Sequence, residues 1–231
     1  RKAVLHIHQP DAPGLVSGDD VFRRRLAYDE LLSNQLALAL VRSKMRKRSG
    51  REIKAAGQLG ARIQASLPFK PTHAQTRSVS EIKADMESPN AMLRLLQGDV
   101  GSGKTYVALM AMLHAVEAGA QAAMLAPTEI LARQHGSNLQ AMLQDNGIVL
   151  EILTGRDKGK KRKAILERLE NGEIDILVGT HALIQGDVVF RDLALAVIDE
   201  QHRFGVHQRL MLAAKGAVSY THLTLPTTKN V

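Results

Sequence analysis

The segment Gly98-Asp-Val-Gly-Ser-Gly-Lys-Thr105 restricts what this chain can fold into more than any other. It fits the pattern G-x-x-x-x-G-K-[ST], in which closely spaced glycines let successive backbone N–H groups converge on phosphate oxygens. Gly98, Gly101 and Gly103 provide that freedom, with Ser102 between the last two. Such a loop requires a strand before it and a helix after it, because the positive end of the helix dipole completes the anion site. Both flanks are present: the apolar Leu93-Arg-Leu-Leu96 precedes the loop and the helical stretch Tyr106–Ala118 follows. Loop chemistry assigns Lys104 to the β- and γ-phosphates and the Thr105 hydroxyl to Mg²⁺. ATP and Mg²⁺ are the expected ligands.

The surrounding pattern supplies the frame that the loop needs. Short apolar runs occur at Met92–Leu96, Ala122–Leu125, Val149–Leu153, Ile174–Val178 and Leu193–Ile198. Helical stretches at Tyr106–Ala118, Ile130–Leu143 and Lys160–Glu170 separate them. Repeated strand, helix, strand implies an α/β fold with a parallel sheet covered by helices on both faces. Upstream, residues 22–56 read as a long helix in which Tyr28, Leu32, Leu36 and Leu40 recur every fourth residue. Leu31 and Leu38 widen that stripe, and Gly57 and Gly60 punctuate it. Residues 1–22 show no sustained period and read as a connector from an upstream domain.

A second chemical feature lies at Leu193-Ala-Leu-Ala-Val-Ile-Asp199-Glu200, where an apolar strand ends in two carboxylates. Ligands bind at the C-terminal edge of a parallel sheet. There Asp199 can hold Mg²⁺ through water, and Glu200 can polarise the water that attacks a γ-phosphate. His202, three residues past Asp199, is placed to sense the nucleotide and relay its state.

Composition narrows the class. The chain has no Cys, which excludes a disulfide scaffold and a thiolate metal site. No apolar run approaches the ~20 residues of a membrane helix, and the first ten residues lack a signal-peptide core, so a soluble cytoplasmic protein is expected. The net charge of +8 is uneven. Residues 1–54 hold 12 Lys and Arg against 6 Asp and Glu, leaving 19 against 17 for the remainder. With the basic knot Arg156–Lys163, this concentration suits a phosphate backbone as partner, and equally a solvated surface.

Taken together, the motifs resemble the RecG family of superfamily-two DNA helicases. Asp199-Glu200-Gln201-His202, followed by Arg203-Phe-Gly-Val206 and Gln208-Arg209, is similar to that family's Walker B box, and Leu96–Thr105 to its phosphate loop. Ala126-Pro-Thr-Glu-Ile-Leu-Ala-Arg-Gln-His135 and Val178-Gly-Thr-His-Ala-Leu-Ile184 resemble its next two motifs. Leu67-Pro-Phe69, Thr72 and Ala74-Gln75 resemble the adenine-recognition element. Arg24-Arg-Leu-Ala-Tyr-Asp-Glu-Leu-Leu32 is similar to the helix that joins a DNA-binding wedge domain to the motor.

The resemblance, which covers residues 1–216, implies a RecA-like fold of the P-loop NTPase type preceded by a long helix. It implies an ATP-dependent motor that reverses forks and branch-migrates Holliday junctions in recombination and repair. Gln75 would read the N6 donor and N7 acceptor of adenine. Phe69 would pack on the base or serve as a core aromatic. Pro127, Thr128, Gly155, Thr180 and His181 would meet a DNA backbone independently of sequence. Arg133 and His135 read equally well as plain solvent-facing residues. The expected domains are a connector (1–22), a basic linker helix region (23–66), a first motor domain (67–216) and a foreign or disordered tail (217–231).

That tail, Val218–Val231, resembles translated sequencing-adapter read-through, and the expected Ser/Thr-Ala-Thr motif is absent. The second motor domain and most of the wedge domain are expected to be missing from this chain. Three other readings remain at this point: a transcription–repair coupling translocase, a phosphate-loop kinase, and a non-motor nucleotide-binding module.

Overall fold

Unbroken burial along the central strands builds a sheet with two apolar faces. The structure, a computed structural model, describes residues 21–46, 50–99, 101–143, 146–200, 203–205, 211–212, 215 and 219–223. Its strands are β1 (Leu93–Leu96), β2 (Gln121–Leu125), β3 (Leu150–Leu153), β4 (Ile176–Gly179), β5 (Leu193–Asp199) and β6 (Ser219–Leu223). All pairings are parallel, in the order β1-β6-β5-β2-β4-β3. On β2, Ala122 and Met124 face one core while Ala123 and Leu125 face the other; on β5, Leu195 and Val197 oppose Ala196 and Ile198. A strand buried on both faces has no polar side, which is why these runs read as continuously apolar.

Helices cover both faces. On one lie α2 (Gln58–Ser66), α3 (His73–Met86), α4 (Lys104–Glu117) and α5 (Glu129–Leu143), contributing Ile63, Ile82, Leu109 and Leu139 to the core. On the other, α6 (Gly159–Glu170) contributes Ile165 and Leu169, and a 3-10 turn at His181–Ile184 adds Leu183. This is the RecA-like α/β architecture expected from the sequence.

The chain divides into two compact units, residues 1–47 and 48–231. In the first, α1 (Val21–Arg46) carries an i,i+4 Arg25–Asp29 pair, and Tyr28, Leu31, Leu32 and Leu36 are exposed. The long helix read over residues 22–56 therefore stops earlier. Gly50 accounts for part of this: its N–H donates to the Pro89 carbonyl at 2.9 Å, and a Cβ there would collide with the Ala91 backbone. Ile53 follows into the core with its N–H on the Met86 carbonyl.

The second helix, α2, was hidden by its glycines. Gly57 is its N-cap in the left-handed region (φ 79°), and Gly60 is buried within it. The carboxylate of Glu117 on α4 accepts from the Gln58 N–H at 2.8 Å, filling the place of a local capping side chain. Residues 50–66, read from the sequence as part of a linker region, thus pack into the second unit.

Ser219–Leu223, in the segment expected to be foreign or disordered, form β6. Tyr and Thr favour strands, and the slot between β1 and β5 offers a backbone ladder on each side. Leu223 aligns with both Leu96 and Asp199, so β1 and β5 end level.

If α2 belongs to the second unit, Ile63→Ala should lower its unfolding free energy by about 2–5 kcal/mol. Leu31→Ala on α1, where Leu31 is 64% exposed, should change stability by under about 0.5 kcal/mol. Urea denaturation of the two variants measures both.

Candidate functional site

Because β1 and β5 are each paired to β6 and end level, their C-terminal ends lie two strand spacings apart, roughly 10 Å. The glycine loop leaves β1, and α4 starts at Lys104 with Gly103 as its left-handed N-cap (φ 77°). A Cβ at Gly103 would meet the Gln75 amide, so both the backbone angle and the close approach demand glycine there. In the first turn of α4 Tyr106 and Val107 donate to the Gly103 carbonyl, which leaves the N–H groups of Lys104 and Thr105 for an anion at the loop.

Lys104 is buried, and its Nζ donates to the carbonyls of Gly98 and Asp99, the latter at 2.5 Å. Burial pushes the ammonium pKa below its ordinary value, while the charges of Asp99, Asp199 and Glu200 act in the opposite sense. Lys104 and the paired acids of β5 thus share one electrostatic neighbourhood.

Asp199 is 1% exposed. Its Oδ2 lies 2.7 Å from Nε2 of His135 on α5, and its Oδ1 has no hydrogen-bond partner among the described residues. An unmet buried carboxylate oxygen is costly, and a cation beside the loop satisfies it. No group of three or more His, Asp or Glu side chains among the described residues could hold a metal by itself. This donor set fits Mg²⁺, which binds through one or two carboxylates plus phosphate oxygens. Thr105, half-buried at the start of α4, could add its hydroxyl to that set. Glu200 is buried next door and, among the described residues, is the one non-glycine with a left-handed backbone (φ 49°). That conformation costs about 1–3 kcal/mol and marks sites where side-chain direction matters.

Gln75 connects α3 to the loop. Its Oε1 accepts from the Thr72 N–H at 2.8 Å while its own N–H donates to the Thr72 hydroxyl, a reciprocal capping box. Its Nε2 donates to the Ser102 carbonyl at 2.8 Å. One hydrogen and one lone pair of the amide remain for a base. Phe69 is no core aromatic: it is 43% exposed, edge-on to Tyr106 at 5.8 Å, and lines a shallow cleft with Leu67, Pro68 and Pro71. Tyr106 is buried, with its hydroxyl on Gln64 at 3.0 Å.

The remaining strands end on the same edge, with Leu125, Gly179 and Leu153 in register. Pro127 and Thr128 follow β2, Thr180 and His181 follow β4, and Gly155 follows β3. Thr128, Gly155 and His181 are exposed, whereas Thr180 is buried, which removes its hydroxyl from direct contact with a nucleic acid. The Thr128 hydroxyl accepts from the Leu131 N–H and so begins α5. The turn carrying Gly155 is set by Asp157. Burial pushes the Asp157 carboxyl up, but Lys161 and the N–H and hydroxyl of Thr154 bond it and hold it below the usual range. Arg133 and Arg156 both pair with Glu129. His202 lies outside the described residues.

His135 is the functional neighbour that sequence reading missed. Weighed there between a backbone contact to nucleic acid and a plain solvent-facing role, it is 8% exposed and bonded to Asp199. It lies in the buried stripe of Ala132, Leu139 and Leu143 on α5, and that spacing was the available signal.

The family model "DEAD/DEAH box helicase" matches residues 72–221. The chain is 45% identical over 98% of its length to ATP-dependent DNA helicase RecG of Pasteurella multocida, of which it spans 34%. It is 47% identical over 93% of its length to RecG of Bacillus subtilis, spanning 31% of that protein. The chain thus covers about a third of these relatives. Among solved structures, RecG bound to a three-way DNA junction matches with a TM-score of 0.78 and 43% identity, over 88% of this chain and 27% of that one. A hypothetical ATP-dependent RNA helicase from Sulfolobus tokodaii shares the fold at a TM-score of 0.56 and 19% identity, over 75% of this chain and 51% of that one.

Gln75→Glu keeps an acceptor for Thr72 but sets an oxygen against the Ser102 carbonyl. Losing that hydrogen bond should weaken nucleotide binding about tenfold in a fluorescent-ATP titration. An unchanged affinity would separate Gln75 from the loop's function.

Proposed function

The chain belongs to the DEAD/DEAH box helicase family, and from that premise we propose that it is the ATP-binding half of a RecG-type motor acting on branched DNA. The observation that carries this reading is that Lys104 and the Asp199–Glu200 pair lie on one sheet edge, with the exposed Thr128, Gly155 and His181 following the other strands on that edge. In this reading Lys104 exchanges the Gly98 and Asp99 carbonyls for β- and γ-phosphate oxygens, and the first-turn N–H groups of α4 hold the same phosphates. The Thr105 hydroxyl and the Oδ1 side of Asp199 hold Mg²⁺, the latter through water. Bound Mg²⁺ supplies neutralisation of the charge that develops on the phosphate oxygens. Glu200 orients the attacking water and accepts its proton. Gln75 and Phe69 take the adenine, and His202 completes the nucleotide site.

Pro127, Thr128, Gly155 and His181 meet the DNA backbone, and Thr180 takes part as a buried support for His181. Such contacts do not depend on base sequence, which suits a motor that recognises branched geometry. The relative whose structure contains a three-way DNA junction points the same way. Fork reversal and branch migration in cytoplasmic recombination and repair are the corresponding roles. Among the described residues no helix is long and apolar enough to cross a membrane.

Turnover in such motors draws on an arginine finger, here assigned to a second motor domain, that contributes about 10³–10⁵ in rate. Residues 1–231 by themselves should therefore bind Mg²⁺-ATP but hydrolyse it slowly even with forked DNA, and Lys104→Ala should abolish the binding. Phosphate release and nucleotide titration check the two statements. Rapid DNA-stimulated turnover by the chain would contradict the need for a second domain. Binding that survives Lys104→Ala would contradict the site.

A further inference from the structure

We infer that His135 is a positioning residue that holds the metal-binding carboxylate of Asp199 in register with the phosphate loop. The inference rests on the nucleotide reading above and extends it to a residue outside the loop and the acidic box. Three observations carry it. His135 is buried on α5, and its Nε2 lies 2.7 Å from Asp199 Oδ2. Asp199 is itself buried, and its other oxygen, Oδ1, has no hydrogen-bond partner among the described residues. Asp199 ends β5 level with the end of β1, on the edge from which the loop departs.

A carboxylate at neutral pH can only accept, so the bond requires Nε2 to carry the proton and donate it. With Oδ2 fixed in this way, rotation of the carboxyl group is arrested and Oδ1 keeps one direction. A metal ligand gains affinity when an outer partner fixes its orientation, and loss of such a partner typically costs 10- to 100-fold. The bond also joins the end of β5 to a helix that begins at the exposed Thr128, seven residues or roughly 10 Å along α5. The metal carboxylate is thereby anchored to the element proposed to face DNA.

The test measures fluorescent-ATP binding to the chain as a function of free Mg²⁺. His135→Ala should raise the Mg²⁺ needed for half-maximal binding by on the order of tenfold, while binding in EDTA stays within about twofold. His135→Gln, which retains an N–H near the Nε2 position, should restore most of the Mg²⁺ response. In the unsubstituted chain, where folding is not at issue, the ring ¹⁵N resonances of His135 should shift when Mg²⁺ joins the nucleotide-loaded protein. An unchanged Mg²⁺ response in His135→Ala, or ring resonances indifferent to Mg²⁺, would overturn the inference. If Asp199→Ala alters the Mg²⁺ response and His135→Ala does not, His135 loses its role and the nucleotide reading stands. A chain that binds no nucleotide removes both.

Discussion

Asp199 stands at the end of a seven-residue strand whose every position is buried, with one oxygen bonded to His135 and the other unmet. A charge in that position is expensive unless something positive lies within reach. The ammonium of Lys104 is close enough for the two to influence each other electrostatically. Much of the second unit serves this arrangement. The parallel register aligns the strand ends, the apolar faces keep water from the strand interior, and α4 begins where the loop must deliver its N–H groups.

The sheet edge then divides into two halves. On the β1, β6 and β5 side lie the loop, the acids and Gln75, which bonds the loop at Ser102. On the β2, β4 and β3 side lie Thr128, His181 and Gly155. Helix α5 bridges the halves, because it starts at Thr128 and buries His135 against Asp199. In the same way Gln75 bridges α3 and the loop through Thr72 and Ser102. Each half is tied to its supports by hydrogen bonds that involve functional groups.

How much of this could be read from sequence follows from what each signal depends on. The loop and the acidic box are local patterns whose chemistry dictates their spacing; β2, β4 and β5 were legible because burial on both faces leaves them apolar, and β1 and β3 because Leu and Ile dominate them despite Arg94 and Glu151. Helix α2 was not, since Gly57 and Gly60 look like breakers; Gly57 acts as a cap, and a Cβ at Gly60 would come into van der Waals contact with Met110 of α4. Helix α3 was announced by Thr72 and Gln75 at capping-box spacing, a signal that the adenine reading of Gln75 overshadowed. Strand β6 depends on a slot created by two distant strands, and the His135–Asp199 bond spans 64 residues. Contacts of that range leave only faint local traces. The burial of Thr180 belongs to the same class, because the position after a strand does not fix which way a hydroxyl points.

The central claim is that Lys104 and Asp199 act on one magnesium-bound triphosphate. A crystal structure of the chain with Mg²⁺ and a non-hydrolysable ATP analogue tests it most directly. The account predicts one metal ion held by the Thr105 hydroxyl and phosphate oxygens, linked through water to Asp199 Oδ1, with Lys104 Nζ moved from the loop carbonyls onto the β- and γ-phosphates. A triphosphate bound away from the loop, or a metal ion without connection to Asp199, would contradict it.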